Sequence, residues 1–238
     1  MNPSRVLLCS LLLAASALAA SAAFQSVQMV FGNPMPIYPA SLKIDGITRG
    51  RAVLAVSVDA DGHVKEMLPL AYTHERFAHA SMDALRDWQF VPGRLDGEAV
   101  PVQIELTFEY TLEGAVISSN IEDHYLFDRF EYAGPNALSY HPVGAKSTDH
   151  APVRVSGAAP TYAIDAEKAG VRGNVTVRFY IDEKGAVRLP AITTTANPYL
   201  MEQAMTAVKT WKFEPVTSKG RPVLVVAQQE FNFGDGKR

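Results

Sequence analysis

Cysteine is almost missing from this chain. The single copy, Cys9, lies in an apolar leading stretch, so everything beyond it lacks disulfides and thiol nucleophiles. A basic excess is missing too. The formal net charge is −3, without the electrostatic footprint of a nucleic-acid binder. No G-x-S-x-G elbow, P-loop or G-x-G-x-x-G loop occurs, which leaves acyl-transfer and nucleotide chemistry without their usual frameworks. Histidine is sparse, and "HERFAH" (His74–His79) spaces its two imidazoles five apart, not the four that a zinc helix needs. Asp59, Asp61 and Asp182 sit in turns too short to supply a calcium ligand set. These absences predict no enzyme, no cofactor and no metal.

What is present begins with a targeting segment. "MNPSRVLLCSLLLAASALAASAAFQ" has a positive start at Arg5, an apolar run from Val6, and small residues with A-x-A sites ending at Ala19 and Ala22. Residues 1–23 read as a signal peptide, so the protein is expected to be exported. The competing reading is an uncleaved anchor, since Val6 to Phe24 nears the ~20 apolar residues of a membrane span. A chain that is 47% apolar supports real cores, which after export must hold without disulfides.

Only two tryptophans occur, and they share a phrase: "WQFVPGRLDGEAV" from Trp88 and "WKFEPVTSKGRPV" from Trp211. Sliding the chain by that same interval (88 to 211) aligns "RGRAVLAVSVDADGHV" (Arg49–Val64) with "RGNVTVRFYIDEKGAV" (Arg172–Val187). Gly50 meets Gly173, Asp59 meets Asp182, and Gly62 meets Gly185. This is internal duplication. The expected layout is a signal peptide (1–23), a first unit (31–112), a connector (113–152) and a second unit (153–235).

Each unit carries the same elements. Val175, Val177, Phe179 and Ile181 alternate with polar or amphipathic neighbours, the period of a half-buried strand. Ala52, Leu54, Val56 and Val58 stand at the equivalent places. D-A-D-G and D-E-K-G supply a tight hairpin. A helix follows, with Asn197 as N-cap and Pro198 in its first turn, and with Leu200, Ala204, Ala207, Val208 and Trp211 on one face. The final strand alternates Val102, Ile104, Leu106, Phe108 and Tyr110 with Gln103, Glu105, Thr107 and Glu109. Its counterpart has a thinner apolar face, since Ala227 and Gln229 replace Ile104 and Leu106. The predicted fold is α+β, two copies of a short helix, a hairpin, a longer helix and a last strand. Each copy forms a three-stranded antiparallel sheet with helices on one face, and the tryptophans close the cores.

The order P-x-Y, short helix, G-x-x-x-x-x-F/V-x-V-D-x-x-G, W-x-F-x-P and a Val-led final strand occurs twice. It resembles the C-terminal domain of TonB over about two thirds of the chain. The resemblance implies a periplasmic module that grips outer-membrane receptors and passes on energy from an inner-membrane motor. It also implies two contact regions. One is the Pro/Tyr stretch before the first helix: Pro36, Tyr38 and Pro39 in the first unit, Pro160 and Tyr162 in the second, where Ala163 replaces the second proline. Each tyrosine either touches a partner or packs over its own sheet. The other is the last strand, whose edge adds a partner's extended segment as a further strand, with Gln103, Glu105 and Thr107 on its polar face.

No Pro-rich rod separates the leader from the first unit, and the roughly dozen residues between the leader and Pro36 span only ~40 Å fully extended. A soluble double module that captures extended peptides of envelope proteins, among them outer-membrane receptors, is therefore expected. An energy transducer retaining its anchor, and a scaffolding protein that self-associates through sheet edges, stay open. The connector includes "IEDHYLFDRFEYAG", aromatic enough that it is expected to pack across a unit or bind a partner.

Overall fold

The computed structural model of the chain describes residues 24–120, 137–194 and 196–234. The leader and the aromatic–acidic connector stretch lie outside these residues.

The first unit opens with helix α1 (Ala40–Ile44), followed by strands β1 (Arg49–Val58) and β2 (Val64–Tyr72), helix α2 (Glu75–Leu85) and strand β3 (Val102–Thr111). Strand β1 is the centre, antiparallel to β2 on one side and to β3 on the other, with Leu54 opposite Leu106. The second unit repeats this plan: α3 (Ile164–Lys168), β6 (Gly173–Ile181), β7 (Val187–Ile192), α4 (Pro198–Lys209) and β8 (Val225–Phe233). Strand β6 pairs with β7 and β8 in the same antiparallel sense. The α+β repeat is as the pattern predicts.

Alternation explains the cores. Ala52, Leu54, Val56 and Val58 join Ile104, Leu106, Phe108 and Tyr110 beneath Phe77, Ala78 and Leu85 of α2. Val175, Val177, Phe179 and Ile181 meet Leu200, Ala204 and Val208 of α4 likewise. Asn197 caps α4 by accepting from the Tyr199 N–H, with Pro198 at the first turn. Both helices end before the tryptophan: α2 closes at Leu85 and α4 at Lys209. Trp88 and Trp211 are buried beyond these ends, each satisfying its indole N–H on a distant carbonyl. Trp88 donates to Pro34 at 2.7 Å and Trp211 to Ala158 at 2.8 Å.

The duplicated turn docks on the duplicated tryptophan phrase. Asp59 Oδ1 accepts from the N–H groups of Asp61 and His63, and Asp182 Oδ1 from those of Lys184 and Ala186. Each turn then presents a glycine at positive φ, Gly62 at +85° and Gly185 at +79°. The Phe90 N–H donates to Gly62 O at 3.0 Å, and the Phe213 N–H to Gly185 O at 2.8 Å. A Cβ on either glycine would lie within 2.0 Å of the carbonyl oxygen of that phenylalanine. Only glycine fits.

Two features depart from the three-stranded expectation. Residues read as connector supply a fourth strand to each sheet. Strand β4 (Gly114–Asn120) returns antiparallel along β3, pairing from Thr111–Gly114 to Glu105–Asn120. Strand β5 (Val143–Gly144) lies parallel to β8, but only against Val225 and Val226. The sheet orders are therefore β2-β1-β3-β4 and β5-β8-β6-β7.

The second departure is that the faces opposite the helices meet. Val53, Ala55, Leu68, Leu70 and Ala71 of the first sheet form one buried cluster with Tyr180, Leu189 and Leu224 of the second unit. Polar bonds frame it: Arg188 Nε donates to Glu66 at 2.6 Å, and Gln103 Nε2 to Pro190 O at 3.1 Å. Tyr140 straps the seam by stacking on Tyr72 at 4.7 Å and donating its hydroxyl to Glu183. Burial first, and then Glu183, hold the Tyr140 phenol far above its ordinary pKa. The two copies pack as halves of a sandwich.

Candidate partner-binding site

The Pro/Tyr stretches fold back on their own units. Pro36 is buried, and Pro39 is the residue that precedes α1. Half-buried Tyr38 packs edge-on against Phe77 with ring centroids 5.5 Å apart, and its hydroxyl donates to Ile47 O. Tyr162 repeats the arrangement, edge-on to Phe233 at 5.6 Å and donating to Val171 O at 2.6 Å. Pro160 is half-buried two residues before it. Each phenol thus ties the entry of its short helix to the loop after it.

The polar row of β3 does not line an open margin. Gln103 reaches across to Pro190 O. Glu105 is half-buried beside the second unit, where burial pushes its carboxyl up to about 7 against the opposing pull of Arg178. Thr107 lies opposite Ser118 of β4. The expectation of an open final edge fails in the first unit because the chain's own β4 occupies it from Glu105 to Thr111. The outer margin of that sheet is now β4, short and rich in small polar residues, "GAVISSN".

The equivalent edge in the second unit is open. Among the described residues, nothing pairs with the outer side of β8 beyond Val226. The Val143 N–H donates to Leu224 O, so the main chain of Leu224 faces outward. By strand alternation the N–H and C=O groups of Gln228, Glu230 and Asn232 face outward too. The other outer strands are β2 and β7, and they carry Pro69 and Pro190, which remove ladder donors and blunt those edges.

Beside the open edge runs a groove of about 860 Å³, floored by Phe179, Trp211 and Phe213 and flanked by Phe231. It exists because Ala227 and Gln229 stand on the core-facing side of β8, where Ile104 and Leu106 seal the first unit. Arg154 lies over the Trp211 ring at 4.3 Å, and Lys146 stands on the rim. The thin apolar face of β8 is the sequence signal for this groove; the contributions of Arg154 and Lys146 carry none.

The histidine and aspartate candidates have local employment. His74 Nδ1 accepts from the Arg76 N–H as the cap of α2, and His79 stands 3.6 Å from Glu75. The carboxylate of Asp59, near Asp61 and His63, is held below the usual range, first by the His63 N–H, and Lys65 Nζ lies 3.2 Å from it.

A family model for the Gram-negative bacterial TonB protein C-terminal matches the chain at residues 34–112 and again at 158–234. No curated protein matches it. Among the described residues no helix is long and apolar enough to cross a membrane.

Proposed function

The chain belongs to the family of the C-terminal domain of Gram-negative bacterial TonB, with two copies of that domain, and from this premise we propose that it captures extended segments of envelope transport proteins by strand addition at β8 of the second unit. Domains of this family are non-enzymatic interaction modules of the cell envelope that bind outer-membrane receptors. The observation that carries the proposal is the coincidence of an open main-chain edge, Ala227–Phe233, with an apolar groove beside it. Main-chain bonds to the edge supply affinity, and the groove takes alternate side chains.

In this reading the first unit acts as a brace. Its own edge is filled by β4, and its second face supports the binding unit. The leader directs the chain to the periplasm, where it works as a soluble double module.

The test uses the full chain and peptides copied from the N-terminal segments of outer-membrane transport receptors. Hydrogen exchange should slow at the amides of Gln228, Glu230 and Asn232 when peptide is added. Gln228→Pro deletes one outward donor and leaves the ladder to β6 intact, so it should abolish capture while the protein stays folded. Undiminished binding by that variant would refute strand addition at β8.

A further inference from the structure

The geometry points to a selectivity rule for the second unit: its edge recruits extended segments whose groove-facing positions, every second residue, carry bulky apolar side chains, above all aromatic ones, together with an acidic residue. This rests on the strand-addition reading and adds the chemistry of the partner.

The first unit displays the mode of seating. Its own β4 runs antiparallel on β3, and Ala115 and Ile117, two apart, turn inward onto the first core. There Ile104 and Leu106 already seal the sheet, so small and medium side chains suffice. A strand placed likewise on β8 lies over Phe231, Gln229 and Ala227. Its inward side chains descend into a groove floored by Phe179, Trp211 and Phe213. A methyl or isopropyl group leaves that space unfilled. An aromatic ring fills it and gains edge-to-face contact with rings of the same kind.

The rim fixes the charge. Lys146, Arg154 and Arg178 line the groove, no carboxylate lines it, and neither Lys146 nor Arg154 pairs with a carboxylate among the described residues. A carboxylate among the groove-facing side chains meets Lys146 and Arg154, whereas a lysine there is repelled.

The experiment measures fluorescence anisotropy of labelled ten-residue peptides with the full chain. All three carry Thr at every second position; at the positions between, the first has Phe with Glu at the outermost two, the second Phe with Lys at the outermost two, and the third Ala with Glu at the outermost two. The Phe/Glu peptide should bind at least tenfold tighter than either of the others. The double variant Ala227→Ile, Gln229→Leu restores the pair found in the first unit. It should bind Phe/Glu and Ala/Glu peptides alike, with unchanged circular dichroism. Lys146→Glu with Arg154→Glu should reverse the preference between Glu and Lys peptides. Equal binding of all three peptides to the parent chain overturns the selectivity rule and leaves strand addition standing. If none binds and exchange at Gln228, Glu230 and Asn232 is unaltered by any peptide, both readings fall. Concentration-dependent dimerisation that Gln228→Pro abolishes assigns the edge to a second copy and overturns the rule.

Discussion

Replacing Gly62 with alanine tests how the duplicated turn and the duplicated tryptophan phrase hold each other. At φ +85° an added Cβ costs about 1–2 kcal/mol of backbone strain. The same Cβ would stand 2.0 Å from the Phe90 carbonyl oxygen, and Cβ contacts under 3.0 Å essentially never occur. Turn and strand must therefore part by about 1 Å. That forfeits the bond from the Phe90 N–H to Gly62 O, worth about 1 kcal/mol, and loosens Trp88 and Phe90 in the core. The total is about 3 kcal/mol. Gly46 is the control: its φ is +74° and nothing lies within 4 Å of its added Cβ, so Gly46→Ala carries the strain alone. Urea unfolding with linear extrapolation measures the difference. Gly185→Ala, 1.9 Å from Phe213 O, should match Gly62→Ala. If Gly62→Ala costs no more than Gly46→Ala, the docking argument is wrong.

Three further outcomes are expected. The Glu105 carboxyl is raised from 4.5 to about 7 in the folded chain, so the folded state retains a proton that the unfolded state has lost. This group leaves stability unchanged below about pH 4.5 and lowers it as the pH climbs to about 7. Glu105→Gln should flatten that decline and raise Tm at pH 8 but not at pH 4; a parent-like slope would contradict it. Tyr38→Phe and Tyr162→Phe should each cost about 1 kcal/mol in urea unfolding, because each removes a donor to a backbone carbonyl. Leu224→Asp sets a charge inside the seam between the sheets and should split a single calorimetric transition into two; one unchanged transition would show that the seam does not couple the units.

Much of this architecture was legible because its signals are local. The strand alternation around Val175–Ile181, the cap at Asn197 and the D-x-x-G turns all act over a few residues. Strand β4 was not legible, since glycine, serine and asparagine are poor strand formers; the edge of β3 orders it. The seam was hidden for a related reason. Gln103 and Glu105 look like a solvated row, yet their polar groups are met by Pro190 O and Arg178 of the other unit. At the candidate site the thin face at Ala227 and Gln229 was visible, but the groove it opens depends on Trp211 and on Arg154 arriving from another strand. The sequence around Tyr38 and Tyr162 suits a partner contact as well as packing, and the fold gives both phenols an internal carbonyl.

The seam changes what the ancestral doubling means for the protein's later history. Leu224 and Leu189 would stand in water if the second half were produced by itself, as would Leu68 and Leu70 in the first. Neither descendant is a spare that selection is at liberty to discard. With its neighbour bearing part of the cohesion, the second half keeps its place although Ala227 and Gln229 leave its final strand thin.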